Sequence, residues 1–278
     1  MRKLLFLIGL CLPLAACAKE PPRNPDGEPP LVIAHRGAPT LAPENTLAAI
    51  RAALDINSPA IEIDIRRSAD GVPVLIHDED LERTTNGEGE VSDFTWEQLR
   101  ALDAGNWFDE RFAGEPIPRL SEALALVAQH PGDSILIVEL KDGGDGFEQA
   151  VVEAVRASGL PVEKVILKAF ERDILVELEK LAPEYPKLYV FVTEIGWMNL
   201  VIDEQPRFVD VLEVPEEWLQ VHSTFLDRDF VIEAQAAGYK VIAWNVHERE
   251  LMQEMIDWGV DGIETDYPGE LMELLKPD

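Results

Sequence analysis

Short apolar runs alternate with stretches of helical periodicity along most of this chain, and no other feature restricts the fold as strongly. Apolar runs fall at 31–35, 60–66, 135–141, 164–169, 187–193, 240–246 and 261–265, with a weaker one near 218–222. Between them lie amphipathic patterns at Thr46–Leu54, Ser121–Gln129, Phe147–Ala157, Arg172–Leu181, Asp229–Ala237 and Glu248–Trp258. A run of strand–helix units of this kind argues for a parallel sheet covered by helices. Eight such strands within roughly 245 residues is the size of a (β/α)8 barrel, and no internal repeat suggests another architecture. Local signals agree with this division. Asn45 or Thr46 suits the N-cap of the first helix, and Gly238 suits the stop of the helix that begins at Asp229.

One apolar run does not fit the alternation. Val74–His77 follows the second strand after only seven residues, Arg67–Pro73, which is too short for a crossover helix. Asp70-Gly71 between the two runs is a strong two-residue turn signal, so the segment reads as a β-hairpin extension whose second arm is not a barrel strand. A turn centred on those two residues places Asp64 directly opposite His77. The following stretch, Asp78–Arg119, is a long connection carrying Gly87, Gly89, Gly105, Gly114, Trp96, Trp107 and Phe108. Connections of that length commonly form lids or small insertions.

The N-terminus reads as a targeting segment. Arg2 and Lys3 precede an apolar core, Leu4–Leu14, that is too short to span a bilayer. It ends in Leu-Ala-Ala-Cys at 14–17, which resembles a bacterial lipoprotein signal cleaved before a lipidated Cys17; Ala16-Cys17-Ala18 also fits an ordinary secretory cleavage site. The remaining cysteine, Cys11, lies within the signal, so a mature chain has no intramolecular disulfide. Residues 1–16 are then the signal and 17–30 the lipidated cysteine with a Pro-rich tether. Residues 31–278 form the barrel domain. The expected location is an exported, membrane-anchored lipoprotein, with Ala18 favouring the periplasmic face of an outer membrane in a cell that has one.

The formal net charge of −29 argues against nucleic acid as a partner, because an acidic surface repels phosphate backbones. A small anionic ligand has to be met by local cations or by a metal ion. The strand ends supply the candidates. Glu62 and Asp64 stand two apart on one strand and so share a face, and Glu139 and Lys141 repeat that geometry on another. In a barrel such positions face the mouth. Three converging carboxylates require a counter-charge, and oxygen donors suit Ca2+ or Mg2+ better than zinc. His35 ends the first strand and His77 ends the hairpin arm. A histidine pair can serve as general base and general acid near neutral pH, with Arg36 and Lys141 as cationic donors to a phosphodiester. His130, His222 and His247 read as structural or solvated.

These residues fall within motifs that resemble the glycerophosphodiester phosphodiesterase family. They are His-Arg-Gly at 35–37, Pro-Glu-Asn-Thr at 43–46, Glu-Ile-Asp at 62–64, His-Asp at 77–78, Leu-Glu-Arg-Thr-Thr-Asn-Gly at 81–87, Ile-Pro-Arg-Leu at 117–120, Val-Glu-Leu-Lys at 138–141 and Asp-Gly-Ile-Glu-Thr-Asp-Tyr-Pro at 261–268. The resemblance implies a (β/α)8 barrel that hydrolyses glycerophosphodiesters to sn-glycerol 3-phosphate and an alcohol. It implies His35 and His77 as the catalytic pair and Glu62, Asp64 and Glu139 as ligands of a divalent cation, Ca2+ or Mg2+. Arg36 and Lys141 match phosphate contacts, and Trp244 matches an aromatic near the substrate. Three positions depart from the family pattern. Lys168-Ala169-Phe170 stands where Ser-Phe is usual after the strand, Asn245 where Thr is usual, and Glu264 where an apolar residue is common. All three touch the leaving-group side or barrel packing. The rival readings are a lysophospholipase D or sphingomyelinase D-like enzyme on the same barrel, and a binding protein that keeps the fold without catalysis.

Overall fold

The computed structural model describes residues 27–191 and 218–276. Cys17 and the signal and tether expected at 1–26 lie outside these residues, as do the last two residues of the strand expected at 187–193. Among the described residues no helix is long and apolar enough to cross a membrane.

Strands β1 (Leu31–Ala34), β2 (Ala60–Arg67), β4 (Ile135–Leu140), β5 (Val165–Ala169), β6 (Lys187–Phe191), β7 (Trp218–His222), β8 (Lys240–Trp244) and β9 (Gly262–Thr265) are parallel neighbours in that order. β1 pairs with both β2 and β9, which closes the sheet into the expected barrel. Helices α1 (Leu47–Asp55), α3 (Leu120–Gln129), α4 (Phe147–Ser158), α5 (Arg172–Leu181), α6 (Arg228–Ala236), α7 (Arg249–Trp258) and α8 (Pro268–Leu274) stand between the strands. Of the two caps considered for α1, Thr46 is the one used: its hydroxyl accepts from the Ala49 N–H at 3.2 Å.

Alternation along the strands sorts side chains into two compartments. Outward-facing Ile61, Ile63, Ile65, Leu136, Val138, Leu140, Val165 and Leu167 pack under α1, α3, α4 and α5, and a second cluster does the same beneath α6, α7 and α8. Inward-facing Ile33, Ala60, Ile137, Ile166, Leu188 and Ile242 form an apolar plug inside the barrel. Two residues further along the same strands the inward positions become His35, Glu62, Glu139, Lys168, Trp244 and Glu264. The floor of the site is therefore oil and its next layer is charge.

The hairpin exists, with a register one residue away from expectation. β3 (Pro73–Leu75) pairs antiparallel with β2, matching Ile65 with Leu75, Arg66 with Val74 and Arg67 with Pro73. Asp64 is consequently level with Ile76, whose N–H donates to the Asp64 carbonyl at 3.2 Å, and not with His77. The turn is the cause. The Ser68 N–H donates to the Val72 carbonyl at 3.1 Å, leaving a three-residue loop, Ala69-Asp70-Gly71, with Gly71 at φ +79°. Three-residue hairpins end in just such a left-handed position, and a two-residue turn does not fit here. The Asp70 carboxylate further accepts from the Ser68 hydroxyl and from the Trp96 N–H. Those bonds fix the turn to α2 (Trp96–Arg100) in the long connection. That connection has its own small core of Leu81, Val91, Leu99, Ala104 and Ile117, packed on Val74 and Ile76 of the hairpin arm.

Candidate active site

The chain leaves β1 through His35-Arg36-Gly37 in a sharp turn whose backbone explains the glycine. Arg36 has φ +52° and Gly37 φ +92°, and a Cβ on Gly37 would lie 2.7 Å from the Ala49 Cβ. Only glycine lets the turn press against α1 there. The turn sends the Arg36 N–H to the Glu62 carboxylate at 2.9 Å and returns its guanidinium over Asp64, with Nε 3.3 Å from Oδ2.

The Pro-Glu-Asn-Thr motif supports the same site. Asn45 donates from Nδ2 to Asp64 Oδ2 at 2.8 Å and accepts from the Asp64 N–H at 3.0 Å, holding both the strand and its carboxylate. Glu44 accepts from Arg36 and from Arg83, each at 2.8 Å. The sequence gave no reason to assign either residue a role, because their partners lie on β2 and in the long connection.

Strand register brings the charged layer together. Asp64 is the ladder partner of Glu139, and Glu139 is the partner of Lys168. The Lys168 ammonium lies 2.9 Å from Glu139, 3.2 Å from Glu62 and 3.1 Å from Glu264, with every one of these side chains almost inaccessible. Lys141 contacts Glu139 and lies 3.0 Å from Asp64. The two departures at Lys168 and Glu264 are thus one ion pair. A lysine placed among carboxylates in the barrel is matched by an extra carboxylate from the far strand. Burial, and next the Asp64 charge, push the Glu62 carboxyl up to about 7. Burial also opposes the ionisation of Asp64, yet Lys141 and Arg36 hold it well below the usual carboxylate range.

Carboxylate oxygens of Glu62, Asp64 and Glu139 all fall within 4.8 Å of one another. Three buried oxygen donors so close, with like charge enough to raise one of them, suit a hard divalent cation such as Ca2+ or Mg2+.

The two histidines are wired alike. His35 Nδ1 lies 2.7 Å from Asp266 Oδ1, and His77 Nδ1 lies 2.6 Å from Asp78 Oδ1. Each carboxylate fixes a ring orientation and leaves Nε2 for proton transfer. Their surroundings then separate them. Burial pulls His35 down, but the Asp266 hydrogen bond and the charge of Glu264 outweigh it and leave the ring above its ordinary value. Burial lowers His77 below its ordinary value, with Lys141 and Arg36 opposing the pull of Asp64. Asp266 is missed by sequence reasoning because it is distant in the chain from His35. Asp78 adjoins His77 and was noted only as part of a motif.

A cavity of about 740 Å³ opens over this floor. His35, Arg36, His77, Glu139, Lys141 and Trp244 all line it, while Glu62 and Asp64 lie beneath, buried. Every site residue expected from the sequence within the barrel is therefore at one place. His222, read from the sequence as structural or solvated, instead forms part of the cavity wall, 5.2 Å from the Trp244 ring. His247 lies 3.5 Å from Asp266, at the edge of the site.

Residues 35–270 match the Glycerophosphoryl diester phosphodiesterase family. The chain belongs to this family. A Glycerophosphodiester phosphodiesterase of Caldanaerobacter subterraneus is 36% identical over 88% of the chain and 98% of its own length. Among solved structures, an Oleispira antarctica phosphodiesterase in complex with the product sn-glycerol-3-phosphate is 33% identical, with a TM-score of 0.77 over 88% of this chain and 96% of that one. A glycerophosphodiester phosphodiesterase from Agrobacterium tumefaciens is 30% identical with a TM-score of 0.73, covering 88% and 99% of the two chains. The protein is a phosphoric diester hydrolase built on a (β/α)8 barrel.

Proposed function

We propose that the protein hydrolyses glycerophosphodiesters to sn-glycerol 3-phosphate and an alcohol, using His35 and His77 as an acid–base pair above a divalent cation held by Glu62, Asp64 and Glu139. The observation that carries this reading is the convergence of two carboxylate-oriented histidines, two cations and three carboxylates on one cavity. The related Oleispira antarctica phosphodiesterase, whose structure holds sn-glycerol-3-phosphate, supports the substrate class. A bound Ca2+ or Mg2+ supplies positive charge for the phosphate oxygens and relieves repulsion among the carboxylates.

Within the protein's own residues the roles divide by position and charge. Arg36 and Lys141 donate to the phosphate, and both are ion-paired to Asp64 from the cavity side. His77, held below its ordinary value, stays neutral and takes the proton of the attacking hydroxyl. His35, held above its ordinary value, keeps a proton for the departing alkoxide. In the free protein Arg36 Nε also lies 3.2 Å from His35 Nε2, a position open only while that nitrogen is unprotonated. A bound phosphate draws the guanidinium onto itself and leaves His35 Nε2 to carry its proton.

The pH profile tests this division. Activity requires His77 neutral, so it rises as pH climbs through a value below the ordinary 6.5. It also requires His35 charged, so it falls as pH climbs through a value above 6.5. The expected kcat/KM profile is a bell with its plateau spanning that value. His77→Ala removes the acid limb and leaves the alkaline one; loss of the alkaline limb instead would reverse the roles.

We further place the protein on a membrane through lipidated Cys17, as an exported lipoprotein on the periplasmic face of an outer membrane where there is one. Support comes from the Leu-Ala-Ala-Cys sequence at 14–17 and the Pro-rich segment that follows. Cys17→Ser is expected to release the protein into the soluble fraction and to abolish incorporation of labelled palmitate. Unchanged fractionation and labelling would contradict the anchor.

A further inference from the structure

The cavity has two unlike walls. The cations Arg36, Arg66 and Lys141 lie on the side of the histidine pair. The other wall is aromatic. Phe170 and Trp244 meet edge to face at 5.6 Å, His222 meets Trp244 at 5.2 Å, and Phe225 lies 6.0 Å from His222. These residues come from the ends of β5, β7 and β8 and the turn after β7, so four separate backbone segments present rings to one space. Glu171, exposed and next to Phe170, adds a carboxylate to this rim.

The histidine in that wall is not a fixed cation. His222 Nδ1 accepts the Thr224 N–H at 3.3 Å, which the neutral ring does and the doubly protonated ring cannot. Burial also holds His222 below its ordinary value. Phe170 already receives a cation on its face, with Lys141 Nζ 5.1 Å from the ring centroid. Ring faces set around a space, a carboxylate at the rim and an overall charge of −29 form a surface for a bulky, poorly hydrated cation. A neutral polyol would find few hydrogen-bonding partners on such a wall.

We propose that the Phe170, His222, Phe225 and Trp244 wall, with Glu171 at its rim, is the subsite for the leaving alcohol and selects a quaternary ammonium alcohol such as choline. This assignment rests on the hydrolysis proposed above. The cavity, at about 740 Å³, has room for the whole diester. With the phosphate at Arg36 and Lys141, the trimethylammonium group lies against the rings, and its charge distinguishes choline from neutral alcohols of equal size.

The test compares kcat/KM for glycerophosphocholine with that for the glycerophosphodiester of 3,3-dimethylbutanol, which has the same shape with carbon in place of nitrogen. Glycerophosphoglycerol and lysophosphatidylcholine are the further arms. The choline ester is expected to lead its neutral isostere by about tenfold, the equivalent of about 1.4 kcal/mol, the scale of a desolvated cation–π contact. Trp244→Leu and, independently, Phe225→Leu are expected to bring that ratio toward one, and Glu171→Gln to lower it by a smaller factor. A preference confined to glycerophosphocholine over lysophosphatidylcholine identifies the free diester as the source of the headgroup; equal preference in both identifies the lipid as well. Equal rates for choline ester and isostere in the intact protein, or a ratio that survives both ring substitutions, overturn the subsite. No turnover of any diester overturns the hydrolysis reading and the subsite together, which separates the two failures.

Discussion

Replacing His77 with alanine is expected to lower kcat/KM for a glycerophosphodiester by about 10³-fold, and His35→Ala by a similar factor, with neither protein losing its fold. General acid–base catalysis is worth about 10² to 10⁴ in rate, and both histidines sit where a proton must be moved. The two effects should not multiply in the double variant, because residues that act as a unit fail together. His77 lies at the cavity rim on a hairpin arm, with its side chain about one-third accessible, so its removal leaves a solvent-filled gap and no core cavity. His35 is more enclosed, and His35→Ala leaves Asp266 with His247 as its remaining neighbour. Steady-state kinetics beside a thermal melt separate the effects. Activity within about tenfold of the parent in either variant would remove that histidine from the chemistry.

Lys168→Met is expected to destabilise the protein by about 3 to 5 kcal/mol, the cost of breaking a buried ion pair and leaving its partner charged. The ammonium is almost fully inaccessible and touches Glu62, Glu139 and Glu264. Without it those three carboxylates and Asp64 face one another with only Lys141 and Arg36 in reach. The companion change Glu264→Leu should recover part of the loss in the double variant, since it removes a carboxylate whose direct ion-pair partner is Lys168. A divalent cation should recover more, and should raise the melting temperature of Lys168→Met by more than it raises that of the parent, because binding to the folded form stabilises by mass action. Melting curves with and without Ca2+ or Mg2+ check this. A Lys168→Met protein as stable as the parent, and indifferent to metal, would show that Lys168 carries no charge burden in the barrel.

Most of the fold is legible in the sequence because its signals are local. β2 and β4 are near-continuous apolar runs, the helices show their period, and the residues two apart on a strand share a face whatever the rest does. That is enough to group His35, Glu62, Asp64, Glu139 and Lys141 at one barrel end. What escapes notice depends on relations across strands or loops. The hairpin register slipped by one residue because Ser68 bonds Val72 around a three-residue loop, a choice that Asp70-Gly71 does not determine alone. Lys168 and Glu264 looked like two unrelated departures, 96 residues apart, until the closed sheet set them 3.1 Å from each other. Asp266 and His222 were hidden for the same reason. A carboxylate two residues after Glu264 and a histidine at the end of a weak strand gain their meaning only from the neighbours that barrel closure provides.

The central claim is that a carboxylate-held divalent cation and a histidine pair cleave a glycerophosphodiester at this cavity. The most direct measurement is release of sn-glycerol 3-phosphate from glycerophosphocholine and glycerophosphoglycerol by the purified protein, before and after treatment with a chelator. Release is expected from the untreated protein. It should be abolished by chelation, restored by Ca2+ or Mg2+, and absent with either ion in Asp64→Asn. Release that persists unchanged through chelation, or no release from any glycerophosphodiester with either ion present, would contradict the claim.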